Sequence, residues 1–186
     1  MARRSKQPNV VRWLGIAAPL VRLGAIALGA LLSPEASTDT GGEAPDFALP
    51  DTHGDTVTLD EALEDGPALL FFSMGAGCDG CFVQIPEIRD ELDQRDVELV
   101  SIMPGEPEWV AAEAQRLGVA EPIAVDGDVA VSEAYDMLGQ YGHGDQPSHS
   151  FALVDESGEI SWVRHYAEMF IPADELLPEL DDALAG

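Results

Sequence analysis

Basic residues are scarce in this chain of 186 residues, and lysine is almost missing: Lys6 is the only one. Five of the nine basic residues (Arg3, Arg4, Lys6, Arg12, Arg22) precede the first acid, Glu35. From Ser33 onward four arginines stand against 35 acids. That balance excludes nucleic acid as a partner, because phosphate binding needs a basic face. It fits a uniformly acidic, highly solvated surface of the kind halophiles use to stay soluble in concentrated salt. Cysteine is equally sparse. Only Cys78 and Cys81 are present, so there is no second C-x-x-C to complete a zinc site, and the four histidines are scattered.

The basic N-terminus leads into an apolar stretch, Val10 to Leu32, closed by Ser33-Pro34-Glu35. Twenty-three residues are enough to cross a bilayer. Arg22 near its middle costs about 2.5–3.5 kcal/mol, and eleven Leu, Ile and Val side chains return ~4–5 kcal/mol before Pro19 and three glycines subtract again. Insertion is marginal by this count. A signal sequence with Leu23–Leu32 as its apolar core, or a segment lying on the membrane, are the alternatives. Basic flanks ahead of the run place the N-terminus inside and the rest outside. The expected organisation is a membrane anchor or signal segment over residues 1–32, a polar linker over 33–42 and one domain over 43–186. An extracytoplasmic domain is expected, with a soluble cytoplasmic protein as the alternative.

The stretch Ala68 to Ile88, ALLFFSMGAGCDGCFVQIPEI, carries the chemistry. Its apolar start (Ala68–Phe72) is short enough for a buried strand. Small residues follow, and then Cys78-Asp79-Gly80-Cys81. Phe82, Ile85, Ile88 and Leu92 recur at helical spacing, with Pro86 expected to kink that helix after its first turn. The two cysteines therefore sit where a strand hands over to a helix. The amides and dipole of a first helical turn favour a thiolate there, which makes a reactive dithiol. Asp79 between the cysteines opposes thiolate formation and is expected to raise the nucleophile's pKa; a solvated acid at a helix start is the plainer reading.

Ala44-Pro45-Asp46-Phe47-x-Leu49-x-Asp51-x-x-Gly54-x-x-Val57-x-Leu59, then an apolar strand, then C-x-x-C with Pro86 five residues on, resembles the redoxin superfamily. That group joins the AhpC/TSA peroxiredoxins to the TlpA/ResA-like thioredoxins. The resemblance implies a thioredoxin-like α/β sandwich, a central mixed sheet flanked by helices, with an N-terminal β-hairpin extension. The remaining pattern agrees: strands at Val97–Met103, Pro122–Val125, Phe151–Val154 and Ile160–Arg164, and helices at Glu106–Leu117 and after Pro172. Asp60 is expected to cap a short helix, and Val131, Ala134, Tyr135 and Leu138 to form a further helical stripe. Trp109 and Trp162 are expected to pack.

Carried over by motif, Cys78 is the exposed nucleophile and Cys81 the buried resolver. Gln146-Pro147-Ser148 resembles the cis-proline element that holds extended substrate against the dithiol, so Gln146 and Pro147 are expected to bind substrate. His149 is a candidate proton acceptor; His53, His143 and His165 read as turn or surface residues. No cofactor is implied, and the partners are protein thiols or disulfides and a thiol reductant.

The peroxiredoxin pattern P-x-x-x-T/S-x-x-C is broken here. Set on Cys81, its hydroxyl and proline positions hold Cys78 and Met74; set on Cys78, they hold Gly75 and Phe71. Arg164 is the only arginine after position 116, which leaves one late candidate to support a peroxidatic thiolate. Thiol-disulfide exchange is the expected activity. A peroxiredoxin-like peroxidase is the alternative, and a metal-binding chaperone using the two cysteines is a third reading.

Overall fold

The computed structural model describes residues 40–186; the expected anchor over 1–32 and all but the end of the linker lie outside the described residues. β1 (Ala48–Pro50) and β2 (Thr56–Thr58) pair antiparallel. The Asp51 carboxylate closes their turn by accepting from the amides of His53 and Asp55, the local bonding that suits Asp to turns. Thr58, rather than Asp60, caps α1 (Leu59–Ala62). Its hydroxyl accepts from the Glu61 amide and donates to the Glu61 carboxylate, satisfying a first-turn amide that Asp60, already inside the helix, does not reach. The Ala44–Phe47 entry is fastened to the domain by Phe47, which is buried, and by the Tyr135 hydroxyl, which donates to the Pro45 carbonyl at 2.7 Å.

The main sheet has five strands in the order β5-β4-β3-β6-β7. β3 (Ala68–Phe72) is central, parallel to β4 (Glu98–Met103) and antiparallel to β6 (His149–Val154). β5 (Ile123–Val125) adds parallel to β4, and β7 (Ile160–Tyr166) closes the other edge antiparallel to β6. All five β3 residues are buried, because both sheet faces are covered. Leu69 and Phe71 face a core shared with α2 (Asp79–Asp93), α3 (Pro107–Leu117) and α5 (Ala173–Leu184). Ala68, Leu70 and Phe72 face a second core closed by the hairpin, α1, Tyr135 and Met137. The alternation of one short apolar run thus serves two cores. This is the expected mixed sheet flanked by helices, with the hairpin as an extension.

Two further local expectations are corrected. The stripe Val131, Ala134, Tyr135, Leu138 does not form one helical face. α4 spans only Ala130–Ala134, Asp136 turns left-handed at φ 58°, and Ser132, Tyr135 and Met137 are buried while Ala134 is exposed. The buried Asp126 carboxylate organises that segment, accepting from the amides of Val131 and Ser132 and from the Ser132 hydroxyl. Trp109 is 60% exposed rather than packed, because it lies beside the buried Val110–Ala114 stripe instead of on it; Trp162 is partly buried against the α2-side core. α2 itself continues through Pro86 as one helix to Asp93.

Candidate active site

The loop from β3 to α2 needs two left-handed glycines, Gly75 (φ 75°) and Gly77 (φ 100°). At Gly75 a Cβ would also sit 2.8 Å from the Pro104 carbonyl oxygen, so the loop lies against the end of β4 with no room for a side chain. It delivers Cys78 to the N-cap of α2, where Sγ accepts a hydrogen bond from the Cys81 amide at 3.3 Å. Cys78 and Cys81 form a disulfide with a Cα–Cα separation of 5.4 Å, within the ordinary range. Both sulfurs belong to the α2-side core with Phe71, Phe82 and Ile85. Cys81 is fully buried and Cys78 is 5% exposed. In this oxidised state Cys78 is nearly covered rather than exposed. Of the two sulfurs, only that of Cys78 belongs to a residue that reaches solvent.

Gly80, between the cysteines, is a close-approach glycine. A Cβ there would lie 2.5 Å from the Met169 carbonyl oxygen, which brings the β7–α5 connection directly against the motif. That connection is pinned by Gln84, three residues beyond Cys81 and therefore on the same side of α2. Gln84 is fully buried; its Nε2 donates to the Ile171 carbonyl (3.0 Å) and its Oε1 accepts from the Ile171 amide (2.7 Å). Because that amide can only donate, Oε1 is fixed as the acceptor. The 3.2 Å contact from His149 Nε2 to the same oxygen then requires His149 to carry its proton on Nε2.

His149 opens β6, fully buried, its ring 4.6 Å from Phe71 in an edge-on contact. Burial lowers its pKa to about 4, so it is neutral at pH 7. Its Nδ1 is an acceptor with no protein partner, and the buried Ser73 hydroxyl also lacks one. Extending the β3–β6 register one step past Phe72↔Ser150 places Ser73 opposite His149. Two unpartnered polar atoms thus share the sheet face that α2 covers.

Gln146 is exposed and Pro147 buried, two residues before His149. The expected cis bond before Pro147 is corrected: no cis peptide bond occurs among the described residues. A turn in which the Gln146 amide donates to the His143 carbonyl already redirects the chain, and Pro147 pairs with Leu138 as an isolated bridge, so it enters β6 extended. The same loop touches the one before Cys78: His143 Nδ1 lies 2.7 Å from Met74 Sδ. Behind it, Ser148 and Ser150 share a 2.8 Å hydrogen bond, and Ser150 Oγ lies 2.8 Å from His165 Nδ1, whose pKa burial lowers. His143 and His165 are thus half-buried participants, while His53 is exposed in its turn as expected.

Asp79 is paired. Its carboxylate meets the Arg116 guanidinium from α3, which also binds Glu113 at 2.7 Å. Arg164 is engaged elsewhere, 3.1 Å from Glu179. Sequence reasoning missed Gln84, Arg116 and the constraint on Gly80. Gln84 had a signal: it stands three residues after Cys81 and four before Ile88, a helical spacing that puts it on the buried face. Arg116 had none, since it meets Asp79 at a sequence separation of 37.

A central mixed sheet, a dithiol at the start of the helix following its middle strand, and an apolar floor beneath the sulfurs define a redoxin-superfamily thiol oxidoreductase. The AhpC/TSA family model matches residues 40–163, and the chain belongs to that family. A Mycobacterium tuberculosis protein provisionally named a peroxiredoxin is 32% identical over 127 residues, covering 64% of this chain and 80% of that one. The thiol-disulfide oxidoreductase ResA of Bacillus subtilis is 29% identical over 119 residues, covering 62% of this chain and 65% of ResA. Among solved structures, a yeast mitochondrial 1-Cys peroxiredoxin superposes with a TM-score of 0.69 at 20% identity, over 80% of this chain and 78% of that one. At that identity the likeness speaks for the fold alone.

Proposed function

We propose that the protein exchanges disulfides with other proteins through Cys78 and Cys81. The observation that carries this is the Cys78–Cys81 bond at the N-cap of α2, with Cys78 keeping slight exposure and Cys81 fully buried. Reduced, the Cys78 thiolate accepts the Cys81 amide hydrogen bond and attacks one sulfur of a substrate disulfide, forming Cys78–S–S–substrate and releasing the other substrate sulfur as a thiolate that takes up a proton. Deprotonated Cys81 then attacks Cys78 Sγ. This closes the intramolecular disulfide and releases the second substrate thiolate, so two electrons have passed to the substrate. A thiol reductant reverses the cycle on this side.

Gln146 and Pro147 are proposed to hold the substrate segment, supported by the contact between their loop and Met74. His149 is proposed as proton acceptor for Cys81 through Nδ1, linked to α2 by Gln84. Peroxide reduction is the second reading, favoured by the similarity to a peroxiredoxin and opposed by the missing loop proline and hydroxyl. The basic and apolar N-terminal segment is proposed to tether the domain on the outer side of a membrane; among the described residues no helix is long and apolar enough to cross one.

Trapping tests the assignment. Cys81→Ser incubated with a protein disulfide such as insulin should accumulate a mixed disulfide at Cys78, and Cys78→Ser should not. Equal trapping at either position, or none at all, would refute the nucleophile–resolver scheme.

A further inference from the structure

We propose that Arg116 sets the redox balance of the Cys78–Cys81 couple by neutralising Asp79. The inference rests on the reading of that pair as a working redox couple. Among the described residues all four arginines pair with carboxylates. Arg89 binds Asp93 and Glu98, Arg95 binds Glu91 and Asp181, and Arg164 binds Glu179, all outside the motif. Arg116 differs in touching a residue between the cysteines.

The geometry makes this a held charge rather than a passing contact. Glu113, one turn earlier on α3, takes both Nε (2.9 Å) and Nη2 (2.7 Å) of Arg116, and Nη2 continues to Asp79. Glu113 first and Asp79 second raise the guanidinium pKa above its ordinary value, so the positive charge is permanent. Asp79 directly follows Cys78 and opens the first turn of α2, the turn whose Cys81 amide bonds Cys78 Sγ. A solitary carboxylate there repels the thiolate that the helix start attracts. Paired with Arg116 it repels less, so the reduced form is better tolerated. The residue acts through Asp79 and is a positioning residue; it need not touch a sulfur.

Both partners are substantially exposed, at 49% and 63%, so solvent screening keeps the effect small. Arg116→Gln should favour the disulfide ~3-fold in the equilibrium with glutathione at low salt and pH 9, equivalent to about 14 mV toward a more negative potential. Alkylation of the reduced protein at fixed pH should slow in parallel, as the thiolate fraction falls. Arg116→Lys should restore most of the change. In an Asp79→Asn background, Arg116→Gln should have less than half its effect, and molar salt should erase it.

The full chain and its variants are equilibrated with glutathione and quenched with acid. An unchanged potential in Arg116→Gln, or a change of equal size with and without Asp79, overturns the proposal. Thermal unfolding is followed alongside: a lower Tm with an unmoved potential assigns Arg116 to the scaffold alone and also overturns it. If the unaltered protein cannot be cycled by glutathione or dithiothreitol at all, the redox reading itself fails, an outcome distinct from any difference among variants.

Discussion

Replacing Gln84 by methionine, close to it in volume, removes a joint that holds three parts of the site together. Gln84 is fully buried, and its amide serves the Ile171 amide, the Ile171 carbonyl and the His149 imidazole at 2.7, 3.0 and 3.2 Å. The substitution leaves all three groups without this partner. Each buried polar group left unsatisfied costs about 1–3 kcal/mol. The low end of that range for each of the three groups gives roughly 3–4 kcal/mol in total against a typical domain stability of about 5–15 kcal/mol. Urea unfolding at pH 7 reads this as a lower midpoint with an unchanged slope. Gln84→Glu separates the contributions. It keeps the acceptor for Ile171 and His149, loses the donor to the Ile171 carbonyl, and places a carboxylate against the imidazole. The His149 pKa, about 4 in the parent, should then move up, as seen by NMR titration. A loss below about 1 kcal/mol for Gln84→Met, together with an unmoved His149 titration in Gln84→Glu, would refute the joint.

Gly80→Ala should cost stability although alanine favours helix. Its Cβ meets the Met169 carbonyl oxygen at 2.5 Å, and overpacking costs about 1–3 kcal/mol against a helical gain of about 0.5–1 kcal/mol; a stabilised variant in urea unfolding would contradict the close approach. His149 should make the protein acid-sensitive. Its folded pKa of about 4 lies below the ordinary 6.5, so the unfolded chain binds the extra proton and stability falls as pH drops from 6.5 to 4. The difference amounts to roughly 3 kcal/mol at full effect. His149→Gln should flatten that part of the pH dependence relative to the parent, and identical slopes in the two proteins would remove the buried imidazole from the explanation.

The sequence made the motif and its setting readable because both are local. An apolar run, small residues, C-x-x-C and a helical stripe occupy neighbouring positions, and β3 and α2 follow directly. Side chains that converge from distant positions leave no periodic trace. Gln84 meets Ile171 across 87 positions and Arg116 meets Asp79 across 37, and neither spacing is visible as a pattern. Backbone conformation was similarly hidden. Left-handed Asp136 ends the helical stripe after Ala134, and the turn before Pro147 lets an extended peptide serve where a cis bond was expected. Trp109 marks a different limit: one position of helical phase separates the buried Val110 from its exposed neighbour.

The central claim is exchange with a disulfide in preference to peroxide, and a rate comparison tests it most directly. The fully reduced protein is mixed in turn with a protein disulfide and with hydrogen peroxide, and closure of the Cys78–Cys81 bond is followed by quenched alkylation. Oxidation by the disulfide should depend on Cys78, and oxidation by peroxide should be no faster than that of free cysteine at the same pH. Peroxide oxidation many-fold faster than that of free cysteine, with the disulfide reaction slow, would contradict the account and make the protein a peroxidase.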